Sequence, residues 1–450
     1  MYTYIDLFAG PGGLCTGFKN AGFKPLIAVE MSDNTVKTYA RNHDAEIYKL
    51  EELIDNKGKL ENIINIESDK TALIHGDIRL VDNDIINEIL QKKFKVNKVD
   101  VVAGGPPCES FSMAGKRADG DERDNLFENM LRIAQTTESK FIFFENVPGL
   151  LTKKSNNINV FNIIVDEFNN HGYKLASTDK NTIKCLAADY GVPQNRERVF
   201  LVAINEKYGE NKFTYPEKTH GEGRQYPYIT VGDALKYLPP LNSGEGEEIQ
   251  QINYTYEDEY NNKEINESFY KYIRFISGKD GYVPNHIKHD DCVREIANHK
   301  AVNHREKMIK RLGYIKQGEG MKKAAERLIN EGKEEIVSMY FPKKLYAARN
   351  RRLKENEPSF TVTSHCLDEM VHPTSDRGLT PRETARLQSF PDWYVFEGDY
   401  VKFHSDPLQD KYEQCGDAIP VLLVKALAEE LKIALDKIDY NLLNEVAITK

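Results

Sequence analysis

The chain has 450 residues, 40% of them hydrophobic and 29% charged, with 61 Lys and Arg against 70 Asp and Glu for a formal net charge of -9. That length is enough for two or three domains of roughly 150 residues with a sizeable core, which excludes a small disulfide scaffold or a peptide hormone. No apolar run approaches the roughly 18 residues of a membrane-spanning helix, and the amino terminus enters a strand-like pattern without a signal-peptide core. A soluble, cytoplasmic protein with no membrane association is expected. The six cysteines (Cys15, Cys108, Cys185, Cys292, Cys366, Cys415) are scattered without a Cys-x-x-Cys pair, so no metal is expected.

The first two hundred residues alternate short β-rich runs with amphipathic stretches, the pattern of a doubly wound α/β sheet. Strands are predicted at 4–8, 25–30, 72–75, 99–103 and 141–145, and a further buried strand at 198–204. Open sheets of this kind bind ligands at the carboxyl ends of their strands. The texture then changes. From 207 to 291 the chain is rich in Tyr, Asn, Glu and Gly with weak periodicity, and little regular structure is predicted there. Residues 294–354 hold 17 Lys or Arg against 7 Glu, locally +10 in an acidic chain. This stretch ends in Arg349-Asn-Arg351-Arg352, guanidinium groups suited to phosphate oxygens and guanine edges, or to a solvated helix face. Leu, Val and Ala at three- and four-residue spacing over 421–438 predict a long amphipathic helix that packs back on the core, with Gly416-Asp417 as its cap.

The residues that carry chemistry sit at the predicted strand ends. Asp6-Leu-Phe-Ala-Gly10-Pro-Gly12-Gly13-Leu14 joins the first strand to a helix, where glycines let the backbone approach a nucleotide-like cofactor. Cys15 breaks the Gly-x-Gly-x-x-Gly spacing of dinucleotide enzymes. Glu30, ending the second strand, can accept from ribose hydroxyls, and Asp77, after the third, from an adenine amino group. Gly104-Gly-Pro-Pro-Cys108 fixes a thiol at the same edge of the sheet, a nucleophile if its pKa is lowered. Glu145 follows four apolar residues, a setting that raises a carboxyl pKa and makes a general acid. In Gln194-Asn-Arg196-Glu-Arg198 the two arginines share one face if the segment is extended, able to bind phosphate or an electron-rich base.

This ordered set resembles the DNA (cytosine-5)-methyltransferase family, in its bacterial modification type, over nearly the whole chain. The cofactor loop with Glu30 and Asp77, the Pro-Pro-Cys loop, Glu145-Asn-Val147 and Gln194-x-Arg-x-Arg198 occur in the family's order. They are followed by Leu379-Thr-Pro-Arg-Glu-Thr-Ala-Arg-Leu-Gln-Ser-Phe-Pro391, similar to the motif that organises the recognition domain, and by Gln414-Cys-Gly-Asp417-Ala-Ile-Pro420, similar to the last motif. Two departures stand out. Glu109 follows the catalytic Cys where the family most often has Gln, and Asp417 replaces the usual Asn.

The resemblance implies an α/β, Rossmann-like methyltransferase sheet dependent on S-adenosylmethionine, formed by 1–205 with 405–450. A smaller target-recognition domain over 206–404 carries the basic stretch. Implied cofactor contacts are Phe8, Ala9, Gly10, Gly12, Gly13, Leu14, Glu30, Met31, Asp77, Ile78, Pro106, Asp417 and Ala418. Catalytic roles fall to Cys108, Glu145, Arg196 and Arg198, and DNA contacts to Ser112, Asn146, Val147, Gln194, Arg349, Arg351 and Arg352. The implied reaction flips a cytosine out of duplex DNA, adds the Cys108 thiolate to carbon 6 and transfers methyl to carbon 5, releasing S-adenosylhomocysteine. Expected surroundings are double-stranded DNA, a restriction endonuclease acting separately or none, and a monomeric enzyme. Rival readings are the same chemistry on transfer RNA, a DNA-binding regulator without catalysis and, disfavoured by the glycine spacing, a nicotinamide oxidoreductase.

Overall fold

The computed structural model describes residues 1–107, 126–155, 157–287, 295–401 and 408–448. The chain forms two compact units. The first joins Met1–Leu186, Glu197–Glu217 and Leu423–Lys450; the second joins Ala187–Arg196 and Lys218–Leu422. These boundaries differ from cuts at 205 and 405. Strand pairing keeps Glu197–Asn205 in the first unit, while buried side-chain bonds of Gln194 and Arg196 tie the ten residues before it to the second.

The first unit is built on a nine-stranded sheet: β1 (Thr3–Leu7), β2 (Lys24–Glu30), β3 (Ala45–Lys49), β4 (Thr71–His75), β5 (Val101–Gly104), β6 (Phe141–Asn146), β7 (Tyr173–Leu175), β8 (Lys184–Leu186) and β9 (Glu197–Asn205). Its order is β8-β9-β6-β5-β1-β2-β4-β3, with β7 also on β9. The first six strands pair in parallel, and β9 runs antiparallel to β6. The central strands are apolar on both faces because helices cover both. Phe141 to Phe144 of β6 are fully buried, each worth about 1.5–3 kcal/mol. The predicted strands are present with ends shifted by one or two residues, whereas β3, β7 and β8 were not predicted. They are short, and in β3 charged Glu46 and Lys49 interrupt the apolar pattern. Strand order reverses at β1, flanked by β2 and β5, so the crevice where such sheets bind ligands lies at the ends of these strands.

The carboxyl-terminal helix spans Val421–Ile448, ten residues beyond its predicted end. Within the first unit it returns to the sheet. A Cβ at Gly17 would lie 2.5 Å from Val424 Cγ1, Tyr2 Oη donates to Asp436 Oδ1 at 2.8 Å, and Lys140 Nζ donates to Asp439 Oδ1 at 2.6 Å. Gly416 and Asp417 do not cap this helix; they close the preceding one, Lys411–Asp417. Gly416 is required there, since a Cβ would meet the Thr363 carbonyl carbon at 2.1 Å.

Among the described residues of the second unit are an apolar cluster running from Ile229 to Val421 and a smaller one around Leu312, Ile315, Met321, Ala325, Leu328 and Phe341. The 207–291 stretch contains a helix at Glu267–Ile276 that composition concealed. Asn266 accepts from Phe269 N at 2.9 Å to cap it, and Phe269, Tyr272, Ile273 and Ile276 bury one face. The basic stretch forms three helices, Glu306–Gly313, Met321–Asn330 and Glu334–Tyr340, around the smaller cluster. Buried arginines organise the region of the 379–391 motif. Arg377 makes a two-pronged pair with Glu383 at 2.8 Å for each contact, and Arg386 pairs with Asp392 at 2.9 and 2.6 Å. Arg382 donates to the carbonyls of Ala297, Pro391 and Tyr394. Thr380 and Glu383 form a capping box with Pro381 at the first position of the Pro381–Leu387 helix.

Candidate functional site

At the end of β1 the chain turns through three left-handed residues, Phe8 (φ 55°), Gly10 (φ 55°) and Gly12 (φ 95°). For Phe8 this conformation costs about 1–3 kcal/mol. The turn is held by Ala9 N donating to Val29 O at 3.1 Å and Gly10 N donating to Glu30 Oε2 at 2.9 Å. It delivers the chain to the Gly13–Asn20 helix, whose first turn has no side-chain cap and no acidic residue. Such an amino terminus suits an anionic group. Glu30 Oε1 accepts from the amides of Met31 and Ser32 at 2.8 and 2.9 Å. Burial pushes its carboxyl up despite these three N–H donors. Asp77 is engaged at both oxygens by Arg79, at 2.9–3.0 Å to Nε and 2.5 Å to Nη2, which holds its carboxyl below the usual range. Met31 is exposed and Ile78 buried beside these two acids.

The residues fit S-adenosylmethionine. A backbone cradle without Cβ atoms at Gly10, Gly12 and Gly13 opens at an uncapped helix start, and Glu30 is fixed next to it by its bond to Gly10. Leu14 is buried in the first helical turn. Asp417 and Ala418 belong to the second unit, where Asp417 Oδ2 accepts from Gln409 Nε2 at 2.8 Å and Ala418 is buried.

β5 ends beside β6 in a register that pairs Gly104 with Phe144 and brings Gly105 against Glu145. A Cβ at Gly105 would lie 2.6 Å from Glu145 Oε2, so any larger residue there displaces the carboxylate. Asn146 Nδ2 donates to Pro106 O at 2.8 Å, and Val147 N donates to Asn146 Oδ1 at 2.9 Å. Asn146 therefore fastens the Gly-Gly-Pro-Pro loop and is buried. Cys108, Glu109 and Ser112 lie outside the described residues. The four described cysteines are buried. Burial pushes the Cys15 thiol up to about 11 and the Cys415 thiol up to about 12, and raises that of Cys366 as well, which makes them poor nucleophiles.

Glu145 does not sit in a purely apolar pocket as its flanking residues suggest. Arg198 Nε on the neighbouring β9 lies 2.9 Å from Glu145 Oε1, with side-chain exposures of 14% and 10%. The pair is thus sheltered yet open at the strand ends. Arg198 also donates to Glu197 O at 2.8 Å.

Arg196, expected to act beside Arg198, is 2% exposed and donates to Val362 O and, at 2.9 Å, to Gly416 O in the second unit. Gln194 is also fully buried. Its amide donates to Leu387 O and Gln388 Oε1 and accepts from Val362 N, all within 3.0 Å. Both side chains are bonded to segments of the second unit. Arg352 is bonded in the same way: 6% exposed, it binds the carbonyls of Ile315, His372, Ser375 and Leu312 and the Asp376 carboxylate. Arg351 stacks on Phe360 at 3.5 Å and reaches Glu369 at 3.3 Å, whereas Arg349 is 56% exposed. A run of three arginines thus has three fates, because the β-strand alternation and the turn before it point them differently. The roles of Gly105 and of the Arg377–Glu383 and Arg386–Asp392 pairs were not read from the sequence. The Gly-Gly pair before Pro-Pro is the signal that could have flagged the first.

Among the described residues there is no group of His, Cys, Asp or Glu that could hold a metal ion, and no helix long and apolar enough to cross a membrane. The family described as C-5 cytosine-specific DNA methylase matches residues 2–69 and 64–433. Type II methyltransferase M.DdeI of Desulfomicrobium norvegicum is 31% identical over 444 residues, covering 98% of this chain and 90% of that protein. Type II methyltransferase M1.HphI of Haemophilus parahaemolyticus is 31% identical over 431 residues, covering 95% and 86%. Of solved structures, a protein described as a prophage-encoded DNA modification methyltransferase of Escherichia coli is similar with a TM-score of 0.66 at 22% identity, over 97% of this chain and 100% of that one.

Proposed function

The chain belongs to the C-5 cytosine-specific DNA methylase family and is a DNA cytosine-5 methyltransferase, and from that premise we propose that Cys108, Glu145 and Arg198 carry out the reaction on a cytosine flipped out of duplex DNA. The observation that supports this reading most is the Glu145–Arg198 pair, held 2.9 Å apart at the strand ends against the Gly105 backbone that leads to Cys108.

When bound, S-adenosylmethionine supplies an electrophilic methyl group on a sulfonium sulfur. Its holders are the Phe8–Leu14 loop, Glu30 toward the ribose hydroxyls and the Asp77–Ile78 turn toward the adenine. The Cys108 thiolate forms a bond to carbon 6 of cytosine while Glu145 gives a proton to ring nitrogen 3, and the displaced π electrons make carbon 5 nucleophilic. Arg198 then supplies the counter-charge for the Glu145 carboxylate left behind. Carbon 5 takes the methyl group. A base removes the proton from carbon 5, the electrons of that C–H bond expel the thiolate from carbon 6, and ring nitrogen 3 returns its proton to the Glu145 carboxylate. Neither addition nor proton donation can reach a stacked, paired base, which is why flipping is needed. Gly105 and Asn146 position the start of the loop, and Val147 shapes the pocket wall.

The relatives' names as type II methyltransferases support a modification enzyme that protects DNA from an endonuclease acting as a separate protein. A monomer in the cytoplasm fits that work. Bisulfite sequencing of DNA from cells expressing the chain, beside cells expressing Cys108→Ser, tests the reading. Methylation at one short motif, lost in the variant, is the expected result. Unmethylated DNA together with methylated transfer RNA would replace DNA by RNA as the substrate.

A further inference from the structure

A cavity of about 210 Å³ lies within the second unit among the Glu306–Gly313 helix, the start of the next helix at Met321 and the 342–350 turn. It is too small for the ligands of drug size that fill about 300–1,000 Å³ and has room for one planar ring system. Its walls combine the Met321 thioether with the exposed Tyr346 ring, which carries Lys344 Nζ at 4.9 Å and Arg349 Cζ at 5.4 Å from its centroid. Two polar groups complete it. The Arg311 guanidinium is half-buried, and its Nε has no hydrogen-bond partner among the described residues. The backbone of the other group, Asp368, is anchored because Asn350, itself in a left-handed conformation (φ 48°), donates to Asp368 O from both its backbone and its side-chain nitrogen at 2.9 and 3.0 Å, while the exposed Asp368 carboxylate lies 3.5 Å from Arg349 Nη2.

The charge pattern selects the occupant. Three cations would suit a phosphate, but the Asp368 carboxylate in the same lining repels one. A nucleobase edge that offers an acceptor to Arg311 and donors to Asp368 satisfies both. Guanine does so, with O6 beside N1–H and the 2-amino group, and its face can stack on Tyr346. A base inside a duplex cannot present its face to a side chain, so the occupant must have left the stack.

We propose that this cavity receives one guanine of the DNA, unstacked from its neighbours, with Arg311 and Asp368 reading its edge and Tyr346 stacking on its face. The site is distinct from the pocket of the methylated cytosine and rests on the reading of the chain as a methyltransferase of duplex DNA. It makes Arg311 and Asp368 determinants of specificity at one position of the recognition sequence.

The test uses the full chain. Methylated motifs are mapped for wild type, Arg311→Met, Tyr346→Ala and Tyr346→Phe, and affinity is measured by anisotropy on a labelled duplex carrying the mapped motif. Tyr346→Ala is expected to weaken binding about 5- to 100-fold, the loss of one base–aromatic stack, with Tyr346→Phe unchanged. Arg311→Met is expected to accept other bases where wild type demands guanine. Replacing that guanine by hypoxanthine, which lacks the 2-amino group, should weaken wild type but not Asp368→Ala, which has no acceptor for it. Identical motifs and affinities within twofold across all variants would overturn the proposal. Should wild type methylate no DNA, the proposed function fails instead. The cavity is then judged by binding to a labelled pool of random duplexes, where equal affinity of wild type and Tyr346→Ala would overturn it.

Discussion

Two arginine–carboxylate pairs of this chain have similar contact distances and different surroundings. Glu145 and Arg198 meet at 2.9 Å at the end of two strands, with 10% and 14% of their side chains exposed. Arg386 and Asp392 meet at 2.6 Å in the second unit with no exposure, and the same guanidinium also donates to the carbonyls of Ala234 and Lys236. In the buried pair both charges are closed in by the fold, and Arg382 and Tyr254 add further partners to Asp392. The strand-end pair borders a loop kept close by a glycine. An ion pair therefore says little about its purpose until its outlets are known: one whose edge stays open can exchange a proton with a substrate, and one that is enclosed fixes a backbone path.

The comparison can be sharpened by breaking each side of it. Glu145→Gln keeps the shape and removes the acid, so kcat for methyl transfer should fall about 10²- to 10⁴-fold, with thermal stability nearly unchanged; single-turnover kinetics and thermal unfolding check both. Asp392→Asn should reverse that signature. It leaves the Arg386 and Arg382 guanidinium groups buried without their counter-charge, at about 3–5 kcal/mol, seen as faster amide exchange through the second unit. Gly105→Ala pushes a methyl group onto Glu145 Oε2, and a displacement near 1 Å at the reacting groups costs about 10²-fold in rate; cofactor affinity by calorimetry should hold.

The smallest expected effect concerns Asp6, fully buried at the end of β1. Burial raises its carboxyl well above the usual range, and the Tyr39 hydroxyl at 3.2 Å only partly offsets this. An acid raised on folding stabilises fully below its unfolded value, about 3.9, and that contribution is lost as pH rises through the folded value. Wild type should therefore lose Tm relative to Asp6→Asn as pH rises from about 3.9 through the raised folded value.

The strands of the first unit were legible because doubly buried parallel strands read as continuous apolar runs ended by glycine loops, and Glu30, Asp77 and Glu145 stood at those ends. What a polar side chain does after reaching a strand end was not legible. Arg196, Gln194 and Arg352 have the chemistry of ligand-binding groups, but each meets backbone carbonyls and amides contributed by segments far away in sequence. The 267–276 helix was hidden for another reason: its buried face is made partly of Ser268 and Tyr272, which weaken the apolar period.

The central claim is that the Cys108 thiolate bonds to carbon 6 of the cytosine being methylated. A duplex carrying 5-fluorocytosine at the mapped site tests it, because fluorine replaces the proton that must leave carbon 5 before the thiolate can be expelled. With S-adenosylmethionine present, wild type should yield a protein–DNA adduct that survives denaturing electrophoresis, with peptide mass spectrometry placing the bond on Cys108, and Cys108→Ser should yield none. A methylated duplex with no adduct from wild type, or an adduct that persists in Cys108→Ser, would contradict it.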